Sequence, residues 1–102
     1  MNLTNKVLKL LGMKLATDML ENPVPSEQKL FRAIITLALE DVLSNSQGRH
    51  ESVVKAEAHD WFMSDSEDYR NVCSIAVLNS DCVRERYTKA LDNGHVKFTM
   101  NQ

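Results

Sequence analysis

The chain has 102 residues, 43% of them hydrophobic, with 12 Lys+Arg against 14 Asp+Glu and a formal charge of −2. That length supports a single domain with its own core, small enough to be marginal in stability. The missing basic excess excludes a nucleic-acid binder that works by broad phosphate attraction: either a DNA contact uses a local basic patch, or the partner is a protein.

The first helix is expected from about residue 3 to residue 20. Leu3, Val7 and Leu10 recur at steps of four and three, and Leu8, Leu11, Leu15 and Met19 continue on a neighbouring line. Gly12 lies where one line hands over to the other, so a bend is expected there. Lys6, Lys9 and Lys14 take the other side. They read as a solvated face or, more sharply, as a contact for phosphate or lipid headgroups, with Asp18 and Glu21 offsetting them. The same lysines interrupt the apolar run. No signal-peptide core survives, and no stretch approaches the ~20 apolar residues that a bilayer requires. The expectation is a soluble, cytoplasmic chain with no membrane partner.

Pro23 and Pro25 push the residues before them out of the helical region and close that helix. Ser26 is the expected N-cap of the next, with Glu27 and Gln28 in its first turn, where negative charge suits the helix dipole. This second helix runs to about Leu43. Leu30, Phe31, Ile34, Ile35, Leu37, Ala38, Leu39 and Val42 cover well over half its circumference, leaving a narrow polar strip of Lys29, Arg32, Thr36 and Glu40. A helix apolar over that arc has to be covered by several others, which makes it the expected centre of the core.

The run Ser44–Arg49 ends it. Asn45 and Gly48 tolerate the left-handed backbone of a helix exit, and Ser44 and Ser46 bond readily to their own backbone. A third helix follows from about Glu51 to Met63, with Val54, Ala58, Trp61 and Phe62 on one face. Trp61, the only tryptophan, is the expected anchor between helices.

Ser64–Leu91 carries most of the functional signal and reads as two helices with a very short break. Ser64 and Glu67 have capping-box spacing. Tyr69, Val72, Cys73 and Ala76 then share a face, Asn79 and Ser80 are good N-cap residues, and Val83, Tyr87, Ala90 and Leu91 form a second face before Gly94. So short a break predicts a steep corner of the helix-turn-helix kind. Cys73 and Ala76 supply the small residues this motif needs on its first helix, and Asn79 and Val83 the N-cap and buried β-branched residue of its second. Val77 stands where the turn often has glycine, and a β-branched residue resists positive φ, so a rebuilt turn is expected. The tail His95–Gln102 alternates briefly at Val96, Phe98 and Met100, as a short strand or a disordered end would.

No catalytic constellation is read from the chain. His50, His59 and His95 are scattered, and Cys73 and Cys82 are nine apart rather than at zinc-ligand spacing. Glu57 and His59 point to different helix faces, and no glycine-rich phosphate loop is present. The two cysteines are expected as reduced core residues. Neither metal nor cofactor is expected, and the chain reads as non-enzymatic. If the last helix enters a major groove, its outward residues are Ser80, Asp81, Arg84, Glu85, Thr88 and Lys89. Of these, Ser80, Arg84, Thr88 and Lys89 are the candidate DNA contacts, with Arg84 suited to guanine edges and Lys89 to a phosphate. Asp81 and Glu85 oppose that reading, and the bland alternative is a structural corner in water.

The matching residues Trp61, Ser64, Asp68-Tyr69, Val72-Cys73, Ala76, Leu78 and Val83-Arg84 resemble a pattern in small phage and prophage-type proteins of unassigned activity. The resemblance spans roughly residues 57–88 and departs at Val77, where glycine is expected. It implies a phage-related origin and a helical C-terminal half, and it transfers no function. The sequence thus predicts an all-α chain, one domain over residues 1–102 with 94–102 as a tail. Four to five helices pack around the 26–43 helix and end in a helix-turn-helix-like corner. The leading functional expectation is a phage-type accessory protein that binds DNA and regulates transcription. The rival is an adaptor for a host or phage protein, such as transcription machinery, as a monomer or a homodimer.

Overall fold

The computed structural model describes residues 4–44 and 48–98. Five helices follow one another: α1 (Asn5–Met19), α2 (Ser26–Leu43), α3 (Arg49–Met63), α4 (Glu67–Ile75) and α5 (Ser80–Asp92). No strand occurs among the described residues. The fold is all-α, as the hydrophobic periodicity predicts. The expected helix start at Leu3, the turn residues Asn45 and Ser46, and the tail beyond Phe98 lie outside the described residues.

The central position falls to α2, which packs on α1, α3 and α4, while α5 closes against α1, α3 and α4. Val7, Leu11, Ile35, Leu39, Phe62, Tyr69, Cys73, Val83 and Tyr87 are fully or almost fully buried between them. Phe62 stacks on Tyr87 with centroids 4.9 Å apart and meets Tyr69 edge-on at 6.0 Å, so one phenylalanine joins three helices.

Local chemistry sets most helix ends. Thr4 caps α1 by accepting from Val7 N–H at 3.2 Å, and Asn79 caps α5 by accepting from Cys82 N–H at 3.0 Å. Two expected caps are displaced. Pro25, in extended backbone, takes the flanking position before α2, so Ser26 is already helical. At α4 the cap is Ser66, accepting from Tyr69 N–H at 3.1 Å, rather than Ser64, which instead closes α3. Between them Asp65 turns the chain at φ 52°, a conformation that a short polar side chain tolerates.

The corner between α4 and α5 is not rebuilt. Val77 itself adopts φ 59°. Leu78 N–H reaches back to Cys73 C=O at 2.9 Å and Val77 N–H to Ser74 C=O at 3.0 Å, the two bonds of a Schellman exit. At the end of α5 the same pair recurs around Gly94, with His95 N–H to Ala90 C=O at 2.8 Å and Gly94 N–H to Leu91 C=O at 3.1 Å. Valine therefore occupies at one exit the position glycine fills at the other. Leu78 is buried just past the turn, the apolar contact that accompanies this motif.

The chief surprise is the orientation of α2. Its inward residues are Arg32, Ile35, Thr36, Leu39, Val42 and Leu43, so part of the expected polar strip faces the core. Arg32 is 2% exposed. Its Nε donates to Ala76 C=O at 2.8 Å, a second nitrogen donates to Asp18 C=O, and the third meets the Glu21 carboxylate at 3.3 Å. Ala76 and Asp18 lie at the C-terminal ends of α4 and α1, where orphan carbonyls and the helix dipoles favour a cation. One guanidinium thus closes two helices. Lys55 does a similar service, donating to Ser44 C=O at 2.9 Å and to Lys97 C=O while lying over the Phe98 ring. The described part of the tail is accordingly no strand. It folds back with Val96 buried.

Candidate interaction surfaces

The α5 face holds all four residues expected to touch DNA, and most are engaged by the protein itself. Arg84 is partly buried, with one nitrogen 2.9 Å from Asp65 and another 3.2 Å from Asp81. Thr88 donates its hydroxyl to Arg84 C=O at 2.9 Å, and Ser80 C=O accepts from the Tyr69 hydroxyl at 2.6 Å. Lys89, next to Thr88, is exposed. It lines a shallow hollow between α1 and α5 with Lys9, Arg86, His95 and Asp92. The helix brings Ser80, Arg84 and Thr88 onto one stripe at steps of four and sets Lys89 beside it. Asp81 is legible from its spacing along α5, whereas Asp65 is not, because it comes from the loop between α3 and α4.

A second surface was assigned to the core by the sequence reading. With Arg32 and Thr36 inward, the opposite side of α2 turns to solvent, leaving Leu30 and Leu37 each 60% exposed and Ile34 39% exposed. Their spacing of four and three makes a stripe along one helical face. Beside it, α2 and α3 enclose an open groove of about 330 Å³ lined by Ile34, Leu37, Ala38, Val54, Ala58 and Trp61, with Asp41 and Glu57 as its charged lining. Burial pushes the Asp41 carboxyl upward from its ordinary value. Trp61 is half-buried and packs against the core, its ring edge-on to Tyr69 at 5.0 Å and its Nε1 donating to Asp68 at 2.8 Å, so it ties α3 to α4 as an anchor between helices and also lines the groove. A signal for this surface was present in the sequence. Arg32 and Thr36, four apart in an otherwise apolar helix, share one face, so whichever way they turn decides which apolar arc of α2 meets water.

Other chemistry is sparse. His59 Nδ1 and the Tyr87 hydroxyl lie 2.5 Å apart between α3 and α5, and burial raises the Tyr87 phenol above its ordinary range. Among the described residues no three His, Cys, Asp or Glu side chains gather as a metal site. Both cysteines are free. Cys73 is buried, its thiol pushed up by burial, whereas Cys82 is exposed in the first turn of α5 and corrects the expectation of two core thiols. Among the described residues no helix is long and apolar enough to cross a membrane. No protein-family model, curated protein or solved structure matches the chain.

Proposed function

We propose that the chain is a non-enzymatic adaptor that binds a protein partner along α2 and the α2–α3 groove. The observation that carries this reading is the solvent-facing stripe Leu30, Ile34 and Leu37 beside an open apolar groove. Contiguous apolar surface of this kind marks interaction sites, and helix-spaced anchors over a groove are a recurring mode of peptide recognition.

The α4–α5 corner favours a second reading, a transcription regulator that contacts DNA through Ser80, Arg84, Thr88 and Lys89. In that reading Arg84 exchanges Asp65 and Asp81 for a guanine edge. One experiment separates the two. Wild-type, Leu37→Glu and Arg84→Ala/Lys89→Ala chains are immobilised and exposed to host-cell extract, each first checked for helix content. Retention of a protein that is lost only with Leu37→Glu supports the adaptor. Retention of nucleic acid that is lost only with the Arg84/Lys89 variant, and weakens steeply as salt rises, supports the regulator and overturns the adaptor.

A further inference from the structure

Taking the groove as the binding surface, and so resting on the adaptor reading, we infer that its occupant is an amphipathic helix of another protein whose apolar stripe is flanked by lysine or arginine. The charged lining of the groove is Asp41 on α2 and Glu57 on α3, and no cation lines it among the described residues. Asp41 follows Leu37 by one turn, and Glu57 lies between Val54 and Trp61, so each wall presents a carboxylate beside its apolar anchors. A partner that covers the groove strips water from both carboxylates, and an unanswered charge opposes docking. Cations flanking the partner's apolar stripe answer both.

The same charges select against the other occupants. A second copy of this chain would bring the same stripe with the same Asp41 and Glu57 and no cation of its own groove lining to answer them. An anionic lipid surface would repel them. Leu30 to Asp41 spans eleven residue steps, roughly 16 Å or three helical turns at the α-helical rise, which sets the length of partner helix the surface accommodates.

Trp61 is the only tryptophan and lines the groove, so its emission reports occupancy without a label. The full chain is titrated with two tryptophan-free helical peptides of about five turns, each with a leucine stripe, one flanked by lysine and the other by glutamate. The lysine peptide is expected to shift Trp61 emission saturably and to bind roughly tenfold more tightly than the glutamate peptide, with the gap closing as salt rises. Asp41→Asn with Glu57→Gln should abolish the preference while binding persists, and Leu37→Glu should weaken the lysine peptide about tenfold or more. Equal binding of both peptides overturns the basic partner and leaves the groove reading standing. No binding of either, together with an extract capture indifferent to Leu37→Glu, overturns both. Self-association of the free chain that Leu37→Glu abolishes makes a second copy the occupant and overturns the basic helix.

Discussion

Val77 holds a backbone conformation that β-branched residues resist, since at φ 59° its Cβ crowds the neighbouring carbonyl. The α4 exit requires a left-handed residue at this place, and its two bonds, with Leu78 buried beside them, outweigh the strain. That strain is about 1–2 kcal/mol. The side chain is itself 63% exposed, so little packing is lost on removing it. Val77→Gly is therefore expected to stabilise the chain by about 1 kcal/mol and raise the midpoint of thermal unfolding by roughly 4–8 °C, measured by circular dichroism. A midpoint lowered by the equivalent of the full ~1 kcal/mol that glycine's extra unfolded-state freedom costs would show that the corner carries no strain. Arg32 is the other residue whose role depends on its neighbours. As a letter in an apolar helix it reads as solvent-facing, yet three partners on two distant segments draw it inward.

At the scale of elements, α1 is two helical pieces joined at Gly12, where φ 81° and ψ 171° leave the helical region. The break frees carbonyls of the preceding turn, and α5 supplies the donor: Arg86 Nε reaches Leu10 C=O at 3.0 Å. A Cβ at Gly12 would lie 2.9 Å from the Arg86 guanidinium carbon, which that bond holds in place. Gly12→Ala is thus expected to destabilise by about 1–3 kcal/mol, combining strain at positive φ with a displaced guanidinium. Denaturant unfolding checks this, and a loss below the error of the measurement would sink the account. The bend at Gly12 was legible as a handover between two apolar lines. Its partner Arg86 was not, because seventy-six residues separate it from Leu10. The extents of α2, α3 and α5 were legible to within two residues, and the α4 start was misread because three serine and aspartate residues in a row offer competing caps.

For the whole molecule, the tyrosines make alkaline stability a readout of the core. Burial raises the Tyr69 and Tyr87 phenols above their ordinary value of 10.0, and the Cys73 thiol above 9.0. A raised acid pKa means the folded state holds its proton longer than the unfolded state. Stability from these groups is complete below the ordinary values and falls as pH rises beyond them, by about 1.4 kcal/mol per pH unit for each tyrosine. Lys55, lowered by burial, acts oppositely only up to its ordinary 10.5. The chain should therefore unfold above about pH 10.5, with tyrosinate absorbance and loss of helical circular dichroism appearing together. Tyrosinate forming near pH 10 with the helices intact would contradict a packed Phe62–Tyr69–Tyr87 centre.

The sequence by itself determined that the chain is helical, where its helices stop, and that α4 and α5 meet at a corner. These are local properties: periodicity, caps and helix-breaking residues act within a few positions of themselves. Only the tertiary structure decided which side of α2 faces inward and how Arg84 is engaged. Several apolar arcs of α2 compete for one core, and the choice falls to the face whose Arg32 satisfies carbonyls at Asp18 and Ala76, contributed by α1 and α4. Leu30, Ile34 and Leu37 are left in water by that choice.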